Sequence, residues 1–100
     1  MSQDSLSEAP SRIEVTVVEA EACHFCADAH EALSGFAAQY PLALTTIDAR
    51  GSRGMELMQE HRAAMSPLVL VDGEFFSQGR LPRGKFQQLL EKRTAAAMAR

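Results

Sequence analysis

Cys23-His24-Phe25-Cys26 holds the only two cysteines of the chain, and its position constrains the fold more than any other feature. Ahead of it, Ile13-Glu14-Val15-Thr16-Val17-Val18-Glu19-Ala20 alternates apolar and polar residues before turning mostly apolar, the pattern of a strand entering a sheet interior. Behind it, Cys26, Ala29, Leu33, Phe36, Ala37 and Tyr40 recur at spacings of three and four, the pattern of an amphipathic helix from His24 to about Ala38. A dithiol at a strand-to-helix junction sets the first sulfur beside the helix N-terminal amides. Those amides and the helix dipole favour the thiolate, the reactive form of cysteine. The second sulfur follows one helical turn later, within reach of a disulfide. The chain must therefore open on a βα unit with its chemistry at the joint.

The remaining elements follow from local signals. Gly35 weakens the first helix near its end and Pro41 stops it. Leu42 to Asp48 reads as the second strand, and Ala49-Arg50-Gly51-Ser52 as a turn whose serine is expected to cap the helix carrying Met55, Met58 and His61. Leu68-Val69-Leu70-Val71 is a third, wholly apolar strand. Asp72-Gly73 is a type I′ hairpin signal, so Glu74-Phe75-Phe76-Ser77 should return antiparallel. Gly79 breaks the chain, and Pro82 suits the first turn of a last helix striped by Phe86, Leu89, Leu90, Arg93 and Ala97. The order is β-α-β-α-β-β-α. It predicts an α/β domain with a four-stranded mixed sheet, the first two strands parallel, flanked by three helices.

One hundred residues suffice for a single domain, taken as 12–97, after a tail at 1–11 (MSQDSLSEAPS) whose Ser, Asp and Glu content reads as disordered. A net charge of −3 gives no reason to expect nucleic acid or an anionic membrane as partner. Charge is uneven: five acids face one base in 1–21, and six bases face one acid in 80–100. No apolar stretch approaches the roughly 18 residues of a membrane span. The polar, acidic start lacks the basic and apolar blocks of an export signal, so a cytoplasmic location is expected. In a reducing compartment two lone cysteines are a reactive pair or metal ligands before they are a structural staple.

For thiol exchange, Cys23 at the loop end is the attacking sulfur and Cys26 in the first helical turn the resolving one. His24, when protonated, adds positive charge near the Cys23 thiolate, and Phe25 offers an apolar rim to a docking partner. The plain alternative is two small buried apolar residues that happen to be cysteine. Zinc is a further rival, but one C-x-x-C supplies two of four ligands, and His30 and His61 lack the paired spacing of a finger. No metal is expected. Met65-Ser66-Pro67 has two readings: a proline that ends one helix and opens a buried strand, or a cis Ser66–Pro67 peptide presenting the Met65–Ser66 backbone beside the cysteines. Next to C-x-x-C and this element order, the cis reading is the expectation. The methionines at helical spacing read as core fillers.

The C-x-x-C after strand one, the Ser66-Pro67 before strand three, the Asp72-Gly73 hairpin and a glycine after strand four together resemble the glutaredoxins of the thioredoxin superfamily. The likeness runs from about Arg12 to Arg93. It implies a thioredoxin fold, nucleophilic Cys23, resolving Cys26 and cis-Pro67. Dithiol glutaredoxins carry Cys-Pro-Tyr-Cys, a lysine before it for the glutathione carboxylate, and Gly-Gly with an acid after strand four. Here stand His24-Phe25, Glu21-Ala22, and Ser77-Gln78-Gly79-Arg80-Leu81. The acid at Glu21 disfavours an anionic tripeptide, so glutathione is not the expected ligand and no prosthetic group is called for. The stretch Phe76 to Pro82 is faintly similar to the aromatic-Ser-Gly-Phe-Arg-Pro segment of redoxins that take electrons from thioredoxin reductase, which brings Gly79 and Arg80 into the substrate-binding set with His24, Phe25, Met65, Ser66 and Pro67. The expected function is a monomeric thiol-disulfide oxidoreductase acting on protein disulfides, with thioredoxin reductase as donor. The rival is a non-catalytic thioredoxin-fold binding module, its dithiol a redox-sensitive contact or the ligand of an iron-sulfur cluster shared across a dimer.

Overall fold

The computed structural model describes residues 12–98, so the tail assigned to 1–11 lies outside the described residues. Seven elements follow in the expected order: β1 (Ile13–Glu19), α1 (His24–Ala37), β2 (Leu42–Asp48), α2 (Ser52–Glu60), β3 (Leu68–Val71), β4 (Glu74–Gln78) and α3 (Arg83–Met98). The strands form one mixed sheet in the order β2-β1-β3-β4. β1 runs parallel to β2, from Ile13 opposite Leu42 to Glu19 opposite Asp48, and antiparallel to β3, with Val15 opposite Val71. Four strands, three helices and this connectivity make the thioredoxin fold.

The period of two along the central strands sorts the core into two layers. Ile13, Val15 and Val17 of β1 and Val69 and Val71 of β3 pack with Ala29, Ala32 and Leu33 of α1 and with Phe86 and Leu90 of α3. Val18, Leu68 and Leu70 point the other way and meet Leu57 of α2. β3 is apolar at all four positions because both of its faces are covered. Phe86 is the largest fully buried side chain and sits between Phe36 and Phe76, at ring-centroid distances of 5.3 and 5.4 Å. α2 approaches the sheet most closely at Gly54, where an added Cβ would lie 2.0 Å from the Asp48 carbonyl oxygen.

The hairpin forms where its signal stands, with Asp72 at φ 52° and Gly73 at φ 84°, both left-handed as a type I′ turn requires. Asp72 also ties the turn to its neighbours. Its amide donates to the Glu14 carbonyl (2.8 Å), its carboxylate accepts from the Glu14 amide (3.1 Å), and Arg93 of α3 pairs with it. Arg93 thus anchors α3 to the hairpin, while Ala97, the last member of the expected stripe, lies outside the described side chains.

Some local expectations need correction. Ser52 does not cap α2; Gly51 occupies the cap position without a side-chain hydrogen bond, and α2 ends at Glu60 with His61 as its C-cap. Pro82 precedes α3 rather than lying in its first turn, since its carbonyl accepts the Phe86 amide (3.0 Å). Met55 is not core, since about half of it is exposed, while Met58 packs against the α2 layer. β4 carries a bulge, because Ser77 faces Val69 and Phe75 faces Leu70, leaving Phe76 extra and packed beside Phe86.

Candidate functional site

The joint between β1 and α1 is built around the first cysteine. Ala22 adopts a left-handed φ of 51°, which turns the chain sharply out of β1 at a cost of about 1 kcal/mol for a residue with a Cβ. Cys23 is then the N-cap of α1, in extended backbone conformation, and its Sγ accepts a hydrogen bond from the Cys26 amide at 3.2 Å. A sulfur takes the place that serine or aspartate oxygens usually hold. The two Cα atoms are 5.1 Å apart and the sulfurs lie at disulfide distance. Cys23 is half-buried, whereas Cys26 is only 3% exposed. The two sulfurs therefore differ in access.

The Met65–Pro67 segment meets this joint from the other side. The Ser66–Pro67 peptide is cis, and the Ser66 carbonyl oxygen lies 3.8 Å from Cys23 Sγ. The end of β4 holds the segment in place. Gln78 Oε1 accepts from both the Ala64 amide (2.8 Å) and the Met65 amide (3.0 Å), while the Gly79 amide donates to the Pro67 carbonyl (3.0 Å). Gly79 has a left-handed φ of 77°, and an added Cβ there would lie 3.1 Å from Met65 Cε. The thioether rests on the glycine, and about half of Met65 is exposed.

The rim combines aromatic and cationic groups. His24 is exposed, its ring 6.2 Å from that of Phe25, and Phe25 is half-buried with the Arg80 guanidinium 5.9 Å above its ring. Arg83 at the start of α3 bonds the Asp28 carboxylate of α1 at 2.7 Å, which fixes the Gly79–Pro82 segment against the dithiol helix. The C-terminal ends of β1 and β2 are acidic. Glu19 pairs with His30, and Arg50 reaches Glu21 (3.2 Å) and Asp48 (3.5 Å). The Arg50 amide, donating at 2.8 Å, and then its guanidinium hold the exposed Asp48 carboxyl below the ordinary carboxylate value.

Cys23, Cys26, Ser66 and Pro67 come together directly, Met65 meets Gly79, and Phe25 meets Arg80. His24 is exposed, its ring near that of Phe25. The Gln78 clamp, the Arg83–Asp28 tie and the Glu19–His30 pair carry no sequence signal of their own, since each joins different elements. Among the described residues, no group of three or more His, Cys, Asp or Glu side chains is placed to hold a metal ion, and no helix is long and apolar enough to cross a membrane. No protein-family model matches the chain, and no curated protein matches it either.

Proposed function

We propose that this protein is a glutaredoxin-like thiol-disulfide oxidoreductase that exchanges two electrons with protein disulfides through Cys23 and Cys26. One observation carries the reading: the more accessible sulfur caps α1 while the Ser66 carbonyl stands 3.8 Å from it. In the dithiol state the Cys26 amide stabilises negative charge on Cys23 and the Ser66 carbonyl opposes it. The amide is nearer and is backed by the dipole of a fourteen-residue helix, so the thiolate is favoured.

The steps balance without a prosthetic group. The Cys23 thiolate attacks one sulfur of the client disulfide, forms a mixed disulfide and expels the other client sulfur as a thiolate, which takes up the proton Cys23 gave up. Cys26 loses its proton and attacks the Cys23 sulfur, closing the Cys23–Cys26 disulfide and releasing the second client thiol. Two electrons pass from dithiol to client. The exposed Met65–Ser66 backbone gives an extended client segment an edge to pair with during the first step.

A protein client and a reductase as electron source suit the site better than glutathione. Glu19, Glu21 and Asp48 make the side of the β1–α1 joint acidic, and Arg50 offsets only part of that charge. The protein is read as cytoplasmic and monomeric, with no nucleic acid or membrane partner. In an insulin-type disulfide reduction assay, Cys23→Ser is expected to lose activity altogether; retained turnover overturns the mechanism. Rapid reduction of the oxidised protein by glutathione, and none by NADPH with thioredoxin reductase, would reverse the donor assignment.

A further inference from the structure

Beside the dithiol lies a cleft of about 380 Å³ lined by Asp28, Arg80, Leu81, Pro82 and Arg83. Phe25 and Asp28 stand three residues apart on α1 and so share one face of the helix, which makes this cleft continuous with the rim of the cysteine pair. Its walls are two guanidinium groups against one carboxylate. Arg83 already bonds Asp28 at 2.7 Å. Arg80 is exposed, makes no ion pair among the described residues, and lies over the Phe25 ring with its centre 5.9 Å from the centroid. Arg50, Arg53, Arg83 and Arg93 each have a carboxylate partner, whereas Arg62, like Arg80, has none among the described residues. This cation–π contact brings the guanidinium to the cleft, and its N–H donors have no side-chain partner among the described residues, which suits them to a carboxylate.

We propose that the Phe25–Arg80 face is the specificity surface of the site and that it selects a polypeptide disulfide with an aspartate or glutamate beside its reactive cysteine. The inference rests on the thiol-exchange reading and names the chemistry of its client. An extended segment paired with the Met65–Ser66 backbone sends alternate side chains to opposite sides. One of them meets Met65, which is 49% exposed and lies against Gly79; the residue on the other side meets Phe25 and the unpaired guanidinium. The acidic surround of Glu19, Glu21 and Asp48 belongs to the opposite, β2, side of the joint, so a client carboxylate is disfavoured there and favoured on the Arg80 side.

The test uses the reduced full-length protein and three synthetic peptides with the same intramolecular disulfide, flanked by Glu, Gln or Lys. Exchange is followed in a single turnover at low salt. The Glu peptide should react about fivefold faster than the Lys peptide, as expected for gaining one exposed ion pair and losing one repulsion. That ratio should shrink as salt rises toward 0.5 M. Arg80→Glu should invert the order of the Glu and Lys peptides, and Arg80→Lys should keep its sign. Equal rates with all three peptides, or an order unmoved by Arg80→Glu, overturns the carboxylate assignment yet leaves the dithiol chemistry standing. Oxidised glutathione reacting as fast as the Glu peptide overturns the polypeptide assignment. No exchange with any disulfide, with wild type matching Cys23→Ser, instead sinks the oxidoreductase reading itself.

Discussion

At the scale of single residues, the two cysteines are three positions apart and chemically unlike. Cys23 has solvent access and a helix amide at 3.2 Å from its sulfur; Cys26 is buried and its sulfur faces the packed side of α1. Alkylation requires both a thiolate and an approach path; Cys23 has the approach path, and the proposed mechanism gives it the thiolate. Iodoacetamide added near pH 7 to the reduced protein should therefore modify Cys23 well before Cys26, an order read by peptide mass mapping over time. Early labelling of Cys26 would contradict the division of roles. This asymmetry was legible in the sequence, because an N-cap and the turn after it are local. The left-handed Ala22 that sets the cap was not, since nothing about alanine announces φ 51°. His24, next to Cys23 in the chain, is exposed and has its ring 6.2 Å from that of Phe25.

At the scale of elements, the site depends on β4 as much as on α1. The Gln78 side chain reaches back fourteen residues to the Ala64 amide, and its bond to the Met65 amide fixes the segment that faces Cys23. Each such bond contributes about 1 kcal/mol net. Gln78→Leu should thus let the Met65–Ser66 edge drift, raising KM for an insulin-type protein disulfide about tenfold, with a smaller change in kcat. A small aromatic disulfide needs no backbone pairing and should react with the variant at nearly the wild-type rate. Gln78→Glu keeps an acceptor oxygen and should restore the lower KM. Equal losses on both substrates would mark Gln78 as merely structural. Strand and turn bounds set by neighbouring residues were readable, and Leu42–Asp48 and the Asp72-Gly73 hairpin stand where expected. What escaped was decided across elements: the Gln78 clamp, the Phe76 bulge, and Gly54, whose need for space comes from the Asp48 carbonyl rather than from its own helix. Met55 escaped for a related reason, because helical spacing defines a face without saying whether another layer covers it.

At the scale of the whole molecule, a dithiol that cycles between two redox states is compatible only with a fold that does not lean on its disulfide. The main layer, centred on Phe86 and drawing on β1, β3, α1 and α3, is assembled from apolar contacts that exist whether or not the sulfurs are joined. Cys26 belongs to the buried set as half of a disulfide, and its thiol is a small apolar group suited to the same place. The bond closes a loop with a sequence separation of only three, so it removes little freedom from the unfolded chain, about 2 kcal/mol against about 5 for a cross-link spanning a hundred residues. The reduced protein, and the Cys23→Ser/Cys26→Ser double variant, should therefore keep the far-UV circular dichroism of the oxidised form, with Tm lower by no more than about 15 °C. Phe86→Ala, which empties the centre of the main layer, should cost more, about 3–5 kcal/mol. Loss of secondary structure on reduction alone would recast the pair as a structural staple. It would also remove the basis for its redox cycle, because a carrier must remain folded while it waits, reduced, for its next client.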